Sequence, residues 1–374
     1  MAMNTSFYIS TTKVEGGVKI SAEDLERFLQ IYSRKQQTHK SNCRTLYAGH
    51  KEKLNDYIDT FIRDAALGRR ITGKGTRYSK GTINSIKQSL KKFKEYQIIR
   101  GVELGFEDVD MRVYRDFNAF LIEENYSINS IGKCMKNLKM VLKCAEDDGF
   151  AISQAVKGKS FKVHSVKSDA IYLTKEDLQD LEDVDLSNFP ATYTQARDIF
   201  MIGVWTAQRV SDYNYLSWKN VYNEKITLPD SSSKQVQTIH ITQQKTGKKV
   251  VIPCCSALCK ILDKYSGKPL PHLYDQKIND LMKEIGRLAG LTELVEIGKT
   301  KGGIHTVRMI PKWQLIQTHT ARRTGATLMY LSGMDVYDIC KITGHSSIQT
   351  LERYIKAGEL ETVKKMTAEY EFFR

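Results

Sequence analysis

The sequence predicts a mainly α-helical protein with a small β-sheet. Three observations carry this: apolar residues recur at helical spacing from about residue 48 to 150, a strand-turn-strand pattern surrounds Lys245-Thr246-Gly247-Lys248, and helical periodicity returns toward the last residues. With 374 residues and 41% hydrophobic content the chain has material for two or three domains with real cores. Its formal charge of +14 favours a polyanionic partner, nucleic acid first, although a basic protein of other function would share that balance. No apolar run is long enough to span a bilayer and no leader-like order of charged, apolar and small residues is seen, so a cytoplasmic protein without a membrane partner is expected. Seven cysteines without paired spacing point to reduced thiols, and Cys254, Cys255 and Cys259 lack a histidine or second pair at zinc-ligand spacing, so no metal is expected.

Residues 1–47 hold a short alternating run, Phe7-Tyr8-Ile9-Ser10, a Gly16-Gly17 break and a helix-like stretch over 21–32, and read equally as an N-terminal arm, a candidate for arm-type DNA binding, or as a flexible appendage. Over 48–150 the pattern is helical. From Thr82, Ile83, Ile86, Leu90 and Phe93 mark one face and Lys87, Lys91, Lys92 and Lys94 the other. No acidic residue lies between Arg69 and Lys94, a stretch that also holds Arg70, Lys74, Arg77 and Lys80, which suggests contact with backbone phosphates as well as ordinary solvation. The same design repeats from Ser127: Ile128, Ile131, Met135, Leu138 and Leu142 face inward, Lys133, Lys136, Lys139 and Lys143 outward, with a stop at Gly149. Helical periodicity then fails over 151–170, where Lys157, Lys159, Lys162, His164 and Lys167 mark a basic linker.

A new domain, 171–374, opens with Thr174, whose hydroxyl and Asp177 form the two halves of a capping box. The run from Ile199 to Trp205 reads as a buried helix delivering Thr206-Ala207-Gln208-Arg209 at its end. Strands over 238–242 and 249–252 flank the Lys245 turn, 276–288 is helical, and 295–315 is β-branched and Gly-rich enough for a second hairpin.

Five polar groups and one phenol then stand out. His319 and Arg322 lie three residues apart on a predicted helix, so they share a face. A guanidinium fork grips two phosphate oxygens, and Arg209 supplies a second, although either arginine alone is more often a structural ion pair. Lys245, at a hairpin tip, has the reach to protonate a departing oxygen, and His345, between Gly344 and Ser346-Ser347, suits a hydrogen bond to phosphate. Tyr354 is one of 19 tyrosines, singled out because it follows His345 by nine residues, at the far end of a short helix.

This ordered set, Arg209, Lys245, His319-x-x-Arg322, His345 and Tyr354, resembles that of the tyrosine recombinases of the phage and mobile-element integrase family. The resemblance implies a helical core-binding domain followed by a tyrosine recombinase catalytic domain, and an enzyme that joins Tyr354 to a 3′ phosphate while Lys245 protonates the 5′ oxygen. It implies no cofactor, metal or ATP, since the phosphotyrosine link conserves the bond energy. It also implies double-stranded DNA as partner, a homotetramer on two sites, accessory DNA-bending proteins in some systems, and a tail that packs on a neighbouring subunit; the tail from Glu359, with Leu360, Val363, Met366 and Phe372-Phe373 as an apolar stripe, reads equally as folding back on its own domain. DNA-binding candidates are Arg69, Arg70, Lys74, Arg77, Lys80, Lys87, Lys91, Lys133, Lys136, Lys157 and Lys159. The family reading favours an integrase of a mobile element or prophage; an invertase, a dimer resolvase, a type IB topoisomerase and a DNA-binding regulator without catalysis are the alternatives. Gln208, Arg323 and Gly325 depart from the family's usual residues beside the two arginines.

Overall fold

Capped amphipathic helices account for the lysine-rich first region. A computed structural model describes residues 53–167, 169–227, 231–265 and 272–369. The arm over 1–47, its helix over 21–32 and Phe372-Phe373 lie outside the described residues. The chain divides into two compact units, Met1–Tyr57 and Ile58–Arg374.

The helices are α1 (Leu54–Leu67), α2 (Lys80–Arg100), α3 (Met111–Glu123) and α4 (Ile128–Asp147). Ser79 caps α2 by accepting from the Thr82 amide, and Gly101, with a φ of 66°, ends it. Ser127 caps α4 in the same way. Ile86, Leu90 and Phe93 meet Ile131, Met135, Leu138 and Leu142 in a buried seam, which Asn137 stitches by donating to Ser89 Oγ at 2.8 Å. Ile83 and Ile128 lie at its edge, half-buried. Phe117 of α3 closes the layer edge-on against Phe93, 5.2 Å between ring centres.

The expected outward lysine face of α4 is corrected at one position: Lys139 turns inward, donating to the Phe161 carbonyl at 3.0 Å and lying over the Phe161 ring. The strip over 151–170 is less linker-like than its composition suggests. It contains a short α5 (Gln154–Lys157), buries Ile152, Val156 and Phe161, and accepts a hydrogen bond at Lys162 O from the Tyr114 hydroxyl. Further on, Val166 exchanges two hydrogen bonds with the Asn129 side chain. Gly132 makes that approach feasible, because a Cβ there would stand 1.9 Å from His164 O.

In the following region α6 (Lys175–Asp183) starts with the expected capping box from Thr174 and Asp177. Helix α7 (Ala191–Thr206) buries Ile199, Phe200, Met201, Ile202 and Val204 and forms the centre of the second core. A brief α8 (Val210–Tyr213) leads to an antiparallel sheet of β1 (Val221–Thr227), β2 (Ser233–Thr242) and β3 (Lys249–Pro253), in that order. The hairpin around Lys245 is the expected one, with Thr242 opposite Lys249. Helices α9 (Ser256–Lys264) and α10 (Asp275–Leu288) follow, then the second hairpin of β4 (Leu294–Lys301) and β5 (Ile304–Pro311). Its tip reaches the start of α4, where Gly302 N donates to Tyr126 O at 3.1 Å.

The chain closes with α11 (Thr318–Leu331), α12 (Val336–Thr343), α13 (Ile348–Glu352) and α14 (Glu359–Glu369). The tail helix touches its own chain through polar groups, Tyr172 to Glu361 and Lys365 over the Tyr330 ring, and leaves Leu360, Val363 and Met366 exposed. The architecture is thus mainly helical with small antiparallel sheets, as expected. Among the described residues no helix is long and apolar enough to cross a membrane.

Candidate active site

The site forms where the end of α7, the start of α11 and the α12–α13 connection meet. Helix α7 stops at Ala207, held at a φ of 51°, and the chain turns outward so that Arg209 becomes the N-cap residue of α8. Helix α11 packs closely on that stop. At Gly325 a Cβ would lie 2.2 Å from Val204 O and 2.9 Å from the Ala207 Cβ, which explains glycine at one of the positions that departs from the family pattern. The close approach lets Arg322 reach across, its Nη1 donating to Ala207 O at 3.0 Å.

Arg322 has no exposed surface. Its Nη2 donates to Thr343 O at 2.9 Å and to His345 Nε2 at 3.0 Å, and its Nε has no hydrogen-bond partner among the described residues. Burial and the charge of Arg209 lower its pKa to about 10, so it remains cationic at neutral pH. Because a guanidinium only donates, His345 Nε2 must be an acceptor, and the ring proton sits on Nδ1. There it is given to Thr343 Oγ1 at 2.8 Å, whose own proton goes to Ile339 O at 2.6 Å. Burial, then Arg322, Arg209 and Lys248, push the His345 pKa down to about 3, consistent with a neutral ring. His345 follows the left-handed Gly344 that ends α12 and lies two residues before the Ser347 cap of α13.

Tyr354 lies just past α13, its amide bonded to Leu351 O at 2.7 Å and its carbonyl accepting from Thr327 Oγ1 at 3.4 Å. Its ring centre is 4.7 Å from that of His345 and 6.3 Å from that of His319, and Arg322 Cζ is 5.2 Å from it. His319, on the first turn of α11, has its pKa lowered by the protein around it and then by Arg323, Arg322, Arg209 and Lys245. Five cations, Arg209, Arg322, Arg323, Lys245 and Lys248, therefore act on one or both of the imidazoles beside this phenol. The nearby carboxylate is Asp212, 3.9 Å from Arg209 Nη1 and bonded through Oδ1 to the Gln244 amide. Lys245 itself is exposed at the hairpin tip. A dense positive site with neutral histidines suits a phosphate that gains negative charge during reaction.

Three residues were not singled out in the sequence as parts of the site. Arg323, half-buried, adds charge beside His319 and Tyr354. Gln208 and Gln243, both without exposed surface, join the Arg209 and Lys245 segments. The available signal was position: Gln208 directly precedes Arg209, and Gln243 lies two residues before Lys245.

The DNA-binding candidates separate into two groups. Arg69 pairs with Asp64, Arg70 with Asp148, Lys91 with Glu95 and Lys157 with Glu146. Lys74, Arg77, Lys80, Lys87, Lys133, Lys136 and Lys159 are exposed. Among the described residues these seven make no ion pair. The described residues also contain no cluster of three or more His, Cys, Asp or Glu side chains placed to hold a metal ion.

Residues 172–360 match the phage integrase family, and residues 53–163 match the phage integrase SAM-like domain. The chain belongs to the phage integrase family, and its class is that of the tyrosine-type site-specific recombinases. Its fold is similar to that of a lambda integrase dimer bound to a COC′ core site, with a TM-score of 0.54 and 18% identity over 80% of this chain and 97% of the other. A lambda integrase tetramer bound to a Holliday junction gives 0.53 and 16% over 88% and 86%. The Tn1549 transposon integrase in complex with a circular intermediate DNA gives 0.57 and 14% over 84% and 99%. At these identities the likeness is one of fold, a core-binding domain followed by a catalytic domain. No curated protein matches the chain in sequence.

Proposed function

We propose that this recombinase is the integrase of a mobile element or prophage, and that Tyr354 is its nucleophile. The observation that carries the reading is the position of the Tyr354 ring, 4.7 Å from His345 and 5.2 Å from Arg322 Cζ within one chain. The phenolic oxygen gives up its proton to solvent and attacks the phosphorus of one DNA strand, the bond from phosphorus to the 5′ oxygen breaks, and Lys245 delivers a proton to that departing oxygen. Arg209 and Arg322 hold the non-bridging oxygens, with His319 and His345 lining the same space. Attack by a 5′ hydroxyl from the partner strand reverses the step and frees Tyr354.

Double-stranded DNA is the partner, bound between a helical domain over 48–150 and a catalytic domain over 171–374, with 151–170 between them. Lys74, Arg77, Lys80, Lys87, Lys133, Lys136 and Lys159 contact backbone phosphates. A homotetramer on two sites, aided where needed by DNA-bending proteins, follows by analogy with the lambda integrase tetramer on a Holliday junction. On this reading the enzyme works in the cytoplasm and is associated with the nucleoid when bound to DNA.

The test starts with selection of a bound duplex from a random pool. The selected sequence, built into a nicked suicide substrate, should trap a covalent protein–DNA adduct on a 3′ phosphate. Tyr354→Phe should bind that duplex and form no adduct; an adduct from Tyr354→Phe at the normal rate would overturn the assignment.

A further inference from the structure

Gln243 is completely buried, yet all of its amide hydrogen-bonding positions are used. Its Oε1 accepts from Arg209 Nη1 at 3.2 Å and from Thr246 Oγ1 at 2.8 Å. Its Nε2 donates to Gln208 Oε1 at 2.7 Å and to Thr343 O at 2.9 Å. The amide orientation follows from its partners, because Arg209 only donates and a carbonyl only accepts. Gln208 continues the chain, its Nε2 donating to Thr206 O at 3.0 Å and to Ile342 O at 2.8 Å.

Thr343 O receives both Gln243 Nε2 and Arg322 Nη2. An unbroken path therefore runs from Arg209 through Gln243 and one carbonyl to Arg322, and it sets the spacing of two like-charged groups that repel each other. The same residue grips the Lys245 turn, its side chain through Thr246 and its backbone through an N–H that donates to Lys248 O at 2.8 Å and a carbonyl that accepts from Gly247 N at 2.8 Å. The fit is close: a Cβ on Gly344 would lie 2.4 Å from Gln243 Nε2. Neutrality matters as well. A carboxylate in place of the amide would draw on the charge of Arg209 that the phosphate needs, and would leave Gln208 Oε1 and Thr343 O without a donor.

We propose that Gln243, backed by Gln208, is a positioning residue that sets Arg209 and the Lys245 hairpin together for phosphoryl transfer. The inference rests on the Tyr354 reading above and goes one layer beyond it. Its test uses the full chain and the selected suicide duplex in two forms, one with the natural 5′ bridging oxygen and one with sulfur there, a leaving group that needs no proton.

The unaltered chain must first form its adduct and Tyr354→Phe must not; without that, the reading of the site fails, whatever the glutamines do. Gln243→Met and Gln243→Glu should then bind DNA within about twofold of the unaltered chain and cleave the oxygen substrate about tenfold more slowly or worse. On the sulfur substrate the Gln243→Met deficit should shrink by about threefold or more, as it should for Lys245→Ala, because proton delivery is no longer required. A merely structural loss would slow both substrates alike. Rates within about threefold of the unaltered chain for both variants, or equal deficits on the two substrates, would overturn the proposal. If Gln243→Met fails to fold in a thermal melt, the isosteric Gln243→Glu carries the oxygen-substrate test.

Discussion

The buried cationic cluster and the exposed helical faces are built from the same kinds of residue and hold them in different surroundings. Arg322 has no exposed surface and makes three directed hydrogen bonds. Lys87, Lys133 and Lys136 stand in water without an ion pair among the described residues. A charge in low dielectric is strong but must be aimed and compensated, whereas a solvated one is weak, mobile and screened by salt. The first kind suits transition-state charge and the second suits a nonspecific hold on a phosphate backbone.

The sharpest break in this comparison comes from replacing the buried fork. Arg322→Lys keeps the charge but cannot serve Ala207 O, Thr343 O and His345 Nε2 from one planar group. Adduct formation on the suicide duplex should fall by about 100- to 1000-fold. A rate within tenfold of the unaltered chain would mean that charge alone suffices there.

Next in size is Gly325→Ala, whose added methyl would meet Val204 O at 2.2 Å. Overpacking of this kind costs about 1–3 kcal/mol, to be read as a lower melting temperature. An unchanged melt would show that α11 yields without effect.

Acidification probes the neutral histidine. The His345 pKa is held down to about 3, whereas the unfolded ring titrates near its ordinary 6.5. Between these values the unfolded chain binds more protons, so stability is full above the higher one and is lost as pH falls below it. By pH 5 the loss should reach about 1–2 kcal/mol, and His345→Gln should flatten this part of the melting-temperature profile. A profile identical in both proteins would place the acid-sensitive group elsewhere.

The smallest effects belong to the exposed region. Lys87→Ala or Lys133→Ala should each reduce the log-log salt slope of DNA binding by about one unit. Arg70→Ala should leave it nearly unchanged, because Arg70 is already paired with Asp148. Equal slopes for all three variants would erase the distinction between paired and unpaired cations.

Much of this was legible in the residue order. The Ser79 and Ser127 caps, the Thr174 box, the apolar run into Arg209 and the Lys245 hairpin are local features, set by side chains within a few residues of one another. What escaped was long-range. Strand β1 is polar and mostly exposed, so it carries no alternation that marks a strand. The stretch from Arg69 to Lys94 has no acid of its own, yet Asp59 meets Lys94 and Asp148 meets Arg70 from elsewhere in the chain. Lys139 looks outward by helical phase and turns inward because Phe161 arrives beneath it.

By itself, the sequence determined the kind of chemistry, since the residue types and their order from Arg209 to Tyr354 specify which groups are available to a phosphate. Tertiary structure alone decided how those groups are used: which nitrogen of His345 carries the proton, why residue 325 is glycine, and how Gln243 bridges Arg209 to the carbonyl that also holds Arg322. The physical reason is range. Helical phase and capping act over a turn or two, whereas desolvation and hydrogen-bond direction depend on what the rest of the chain brings alongside.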